Sequence, residues 1–124
     1  MAMIHHLYIG HFIIGHFHKE NELATSRPID KEITLRLLRK QLGESADPDK
    51  LPSAWTMSIE PNLIVCDYFG AAPEALDFAA DYAECTEAIM FDAGCYSRQT
   101  PEQVRQQAVL QRRLFTDFDG RSLH

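Results

Sequence analysis

The chain has 124 residues, 45% of them hydrophobic and 24% charged. That composition fits one globular domain with its own core and excludes a disordered segment. The net charge of −6 disfavours direct nucleic-acid binding, because phosphates repel a surface rich in carboxylates.

Other classes are excluded on similar grounds. No apolar run reaches the roughly 18 residues that a membrane-spanning helix needs. The apolar N-terminus is broken by histidines and lacks a small-residue cleavage site, so no signal peptide is expected. Cys66, Cys85 and Cys95 follow no zinc or redox spacing and cannot all pair within one chain. The expectation is a cytoplasmic protein with reduced thiols.

In chain order, residues 3–18 are rich in Ile, Phe, Tyr and His and suit β structure. They form either one strand interrupted at Gly10 and Gly15 or a hairpin turning at Gly10-His11. Residues 19–29 read as a polar loop. Asp30 is a fitting N-cap for a helix over 31–42, with Ile33, Leu37, Leu38 and Leu42 inward and Gly43 ending it. Trp55, Met57 and Ile59 alternate with polar residues, as in a half-buried strand. After the Pro61-Asn62 turn, Leu63 to Phe69 reads as a central strand, broken by Gly70.

Pro73 opens a helix to about Cys85. Ala88 to Phe91 is a short strand. Thr100-Pro101-Glu102-Gln103 is a capping box that opens a last helix to about Phe115. The order β-α-β-β-α-β-α predicts one α+β domain over residues 1–124, with the split β-α-β arrangement of ferredoxin-like folds and an added C-terminal helix.

Charge is unevenly distributed. Residues 51–97 hold eight acids and no Lys or Arg. Four of those acids, Glu74, Asp77, Asp81 and Glu84, recur at steps of three, four and three, which places them on one stripe of the helix. Two readings follow. The stripe is a face for a basic partner, or it is neutralised internally by Arg105, Arg112 and Arg113 of the last helix.

The N-terminal histidines raise a second chemistry. In the hairpin register His5 stands opposite His16, with His18 further along the same face, and three imidazoles could hold a zinc ion with an open fourth position. A small metal-assisted enzyme is the alternative built on them. Asp67 in an apolar strand and Asp92 at a strand end are candidate acid–base groups, and a turn or strand-edge role is the plainer reading of both. Cys66 reads as a core residue, and Cys95 as the thiol best placed for exposure.

The leading expectation is a non-enzymatic acidic protein that needs no cofactor and binds a basic protein through the stripe. It follows the charge logic of an inhibitor or a toxin-neutralising immunity-type protein facing a nuclease-type toxin or nucleic-acid-binding protein.

Overall fold

The sheet is organised around strand β1 (His11–Phe17). In the computed structural model, residues 10–18, 24–94 and 97–122 are described, with side chains as far as Leu114 in the last helix. The remaining strands are β2 (Thr25–Arg27), β3 (Met57–Ile59), β4 (Ile64–Asp67), β5 (Ile89–Asp92) and β6 (Ser97–Gln99), and the helices are α1 (Lys31–Leu42), α2 (Pro73–Thr86) and α3 (Pro101–Ser122). Together they make one α+β domain with a six-stranded antiparallel sheet.

The order β3-β4-β1-β5-β6 puts β4 between β1 and β3, the two strands that α1 connects. This is the split β-α-β arrangement. β2 adds a short pairing to the end of β1, and β6 extends the sheet beyond β5.

Both edges of β1 are occupied. Phe12, Ile13 and Ile14 pair with β4 on one side, and Phe12 through Gly15 pair with β5 on the other. The hairpin register would need those same edges for the residues preceding Gly10, so that alternative is overturned. Residues 25–27, expected as loop, form β2, and Gly15 lets it approach. A Cβ there would stand 3.1 Å from Thr25 Cγ2 and 3.2 Å from the Asn62 carbonyl oxygen.

Other boundaries shift for local reasons. Trp55 closes a 3-10 turn (Ser53–Trp55) rather than opening β3, and its ring is buried against Phe78. β4 ends at Asp67 because that side chain captures the next turn (below). The last helix runs on to Ser122.

The helix ends follow their sequence signals. Asp30 accepts from the Ile33 N–H at 3.0 Å and caps α1. The Thr100 hydroxyl accepts from the Gln103 N–H at 3.1 Å, while the Gln103 side chain accepts from the Thr100 N–H at 2.8 Å, completing the capping box. No helix among the described residues is long and apolar enough to cross a membrane.

β1 is buried on both faces. Phe12 and Ile14 join the helix-side core with Leu38, Ile64, Leu76, Phe78, Tyr82 and Met90. Ile13 and Phe17 join Leu63, Val65, Phe91 and Ala93 in a second cluster. Alternation along a strand makes these opposite faces. We therefore expect Ile13→Ala and Ile14→Ala each to cost about 2–5 kcal/mol in denaturant unfolding, whereas a sheet with one wetted face would tolerate the first change.

Candidate functional site

The acidic stripe on α2 meets cations from both neighbouring helices. Arg105 reaches Asp81 at 2.8 Å and Glu84 at 3.0 Å, Arg112 reaches Asp77 at 2.6 Å, and Lys40 of α1 reaches Asp81 at 2.9 Å. As the α2 number rises the α3 number falls, so the two helices run antiparallel. Arg105 and Arg112 are one heptad apart and therefore share an edge of α3.

Asp81 is the centre of this network. Its side chain is 15% exposed. Burial opposes its ionisation, but hydrogen bonds from Arg105 and Lys40 prevail and hold its pKa below the usual carboxylate value. Three of the four stripe residues are thus engaged inside the domain, which is the internal-neutralisation reading. Glu74 makes no ion pair among the described residues.

The histidines are placed differently from one another. His5 lies outside the described residues. His16 faces the helices, 7% exposed, with its ring edge-on to Tyr82. His18 is exposed just past the end of β1. Among the described residues no three His, Cys, Asp or Glu side chains gather as metal ligands would.

The contact His16 does make was not legible in the sequence. Arg27 Nη2 lies 3.1 Å from His16 Nδ1 and 3.1 Å from the Thr86 carbonyl oxygen. Arginine can only donate, so Nδ1 accepts and the ring proton sits on Nε2. Burial and then Arg27 lower the His16 pKa, against a smaller opposing effect of Asp30. These groups line a cleft of about 760 Å³ beside the start of α1, together with Cys85 and Glu87.

Asp67 and Asp92 stand at the ends of the two strands that flank the start of β1, and each is tied to backbone. Asp67 Oδ1 accepts from the N–H groups of Phe69 (3.0 Å) and Gly70 (2.9 Å), and Asp92 Oδ1 accepts from Gly94 (2.8 Å). Both are side chains that organise turns. Cys66 is fully buried, which pushes its thiol pKa up; Cys85 is exposed, and Cys95 lies outside the described residues.

The turn held by Asp67 presents Phe69, which is 75% exposed. Its carbonyl accepts from Gln111 Nε2 at 3.0 Å, and its ring meets the Tyr68 ring edge-on at 5.2 Å. A side chain at position 70 would overlap the Asp67 carboxylate and displace the group that holds the turn. On α3, Leu110 and Leu114 are also exposed, at 50% and 67%. At 100° per residue they follow the edge opposite Arg105 and Arg112, beside Gln111.

The chain matches no known family model, no curated protein and no solved structure. The site is therefore read from its own geometry.

Two outcomes follow. Patterning alone predicts that reversing Asp77 and Asp81 leaves the fold intact. With Arg105, Lys40 and Arg112 in place, Asp81→Lys instead sets cation against cation and lowers stability, and adding Arg105→Glu restores part of the loss. A double-mutant cycle should return a coupling of about 1 kcal/mol for this partly exposed pair.

The second outcome concerns pH. Because the folded pKa of His16 lies below its ordinary 6.5, the unfolded chain takes up the proton first as pH falls. The His16 contribution is whole above about pH 6.5 and is lost as pH drops toward the depressed value. Urea unfolding between pH ~7.5 and ~5.5 should show wild type losing more stability than His16→Gln.

Proposed function

We propose that this is a non-enzymatic protein-interaction domain whose contact centre is the Phe69 turn, which Gln111 ties to α3, the helix that also exposes Leu110 and Leu114. The observation that supports the reading is Phe69 itself, an aromatic ring held out in water on a turn fixed by Asp67, Gly70 and Gln111. Large exposed apolar residues mark contact surfaces when they cluster, and aromatics dominate binding energy at such surfaces. A pre-fixed anchor also loses little conformational freedom when it docks.

The partner is a basic protein, in keeping with the net charge of −6. Long-range attraction steers its approach. An inhibitor or immunity-type protein facing a nuclease-type toxin is the setting this combination fits. The acidic α2 stripe contributes to the overall field, while its local charges are tied to α1 and α3.

The test is capture from the native host with wild-type and Phe69→Ser baits, followed by kinetics on the captured protein. Phe69→Ser should change folding stability by no more than about 0.5 kcal/mol, as for a surface substitution. It should weaken binding about tenfold or more, chiefly through dissociation. Association should slow as salt rises. A folded Phe69→Ser protein that binds like wild type overturns the proposed contact centre.

A further inference from the structure

One edge of the sheet is left open among the described residues. β3 is the last strand on its side and pairs with β4 alone. The Glu60 N–H donates to the Leu63 carbonyl at 2.8 Å and the Asp67 N–H to the Thr56 carbonyl at 3.1 Å, with Ser58 opposite Val65 between them. Antiparallel strands alternate bonded and non-bonded pairs, so the bonded ones are Glu60–Leu63, Ser58–Val65 and Thr56–Asp67. Met57 and Ile59 therefore turn their N–H and C=O groups away from β4. They offer two donors and two acceptors at the spacing of a further strand.

The charge, proline and bulge devices that blunt natural edges are absent from β3. The other outer strand, β6, carries Arg98 in the middle of its three residues. β3 is Met57-Ser58-Ile59, uncharged, and it pairs with β4 in unbroken register.

A cleft of about 420 Å³ lies at the end of this strand, lined by Ile59 together with Ile29, Thr34 and Pro48. Ile59 packs against the helix-side core. Side chains directly opposite each other in a sheet share a face. A residue added opposite Ile59 thus carries its side chain toward the cleft that Ile59 lines.

Size and charge select the occupant. A stable dimer buries about 1,200 Å² or more, beyond what a three-residue edge supplies, and a second copy would bring −6 against −6. An extended peptide needs no such area, because main-chain hydrogen bonds give it affinity and a side-chain pocket gives it specificity. Asp49 and Glu60 outnumber Lys31 around the cleft, in keeping with the net charge, so basic flanks suit the peptide. We infer that β3 takes up an extended peptide as an added antiparallel strand, with an aliphatic side chain in the cleft and basic residues on either side of it.

The probe is acetyl-Lys-Thr-Leu-Thr-Lys-amide, titrated into the full chain and followed by amide NMR shifts and hydrogen exchange. Before peptide is added, the Met57 and Ile59 N–H groups should exchange faster than that of Ser58, which faces β4. Saturating peptide should shift the Met57 and Ile59 amides and slow their exchange about tenfold or more. Phe69→Ser should leave this titration unchanged, so the edge and the Phe69 surface stand or fall separately.

Changes made on the probe leave the folding of the protein untouched. N-methylation of the leucine removes the donor that the Ile59 carbonyl accepts and should weaken binding about tenfold or more, whereas N-methylation of the threonine before it, whose N–H faces away from β3, should change affinity by less than about twofold. Glutamate in place of both lysines should also weaken binding. Met57 and Ile59 amides unmoved by millimolar peptide, or equal losses from the two N-methylations, would overturn the proposal. Protection of those amides that grows with protein concentration alone would overturn it too, by giving the edge to a second copy.

Discussion

The domain depends on one strand being enclosed on every side. β1 is hydrogen-bonded along both edges and buried on both faces, so Phe12, Ile13 and Ile14 are all at 0% exposure. A strand in that position cannot alternate polar and apolar residues, which is why its sequence is nearly continuous in hydrophobic side chains. It also sets the position of everything beside it. β4 and β5 take their registers from it, and the turn carrying Phe69 follows the end of β4. His16, at the far end of the same strand, is the point where β2 and α2 meet.

Charge serves this enclosure. α2 covers the helix-side core with Ala75, Leu76, Phe78, Ala79, Tyr82 and Ala83, and its acids hold the helices on either side in place. Asp81 bridges Lys40 and Arg105, so a single carboxylate links α1, α2 and α3. Such pairs contribute modestly to stability when partly exposed. Their larger effect is on geometry, because each helix can satisfy its charges in one arrangement. A surface that looks strongly acidic in one dimension is thereby much less so in three.

The exposed features left after this accounting are few and separate. The Phe69 turn is rigid and apolar, which suits a macromolecular contact. The His16–Arg27 cleft is open and polar. They lie at opposite ends of the central sheet. β1 begins next to Asp67, the residue that organises the Phe69 turn, and ends at His16. One rigid strand separates the two.

Much of this was legible in the chain. The Asp30 cap, the Thr100–Gln103 capping box, Pro73 at the start of α2 and the apolar run of β4 are local signals, and local signals read directly because the residues that satisfy them are three or four positions apart. The acidic stripe was equally visible, since helical periodicity alone puts Asp77, Asp81 and Glu84 on one side. What faces them was not decided by periodicity. That required α3 to pack antiparallel on α2 and α1 to bring Lys40 across.

The same limit explains the N-terminal segment, where a hairpin and a single strand have equal local support. Only the pairing of β4 and β5 from distant parts of the chain removed the first. Arg27 beside His16 and Gln111 beneath Phe69 are contacts between residues 11 and 42 positions apart. The sequence by itself determined the three helices, the strand segments of β1, β3, β4 and β5 and where the acids lie, whereas the short strands β2 and β6 appeared only in the folded sheet. The tertiary structure alone decided which charges are neutralised, which histidine is buried and which aromatic is left in water, because those properties belong to pairs of segments that no local pattern connects.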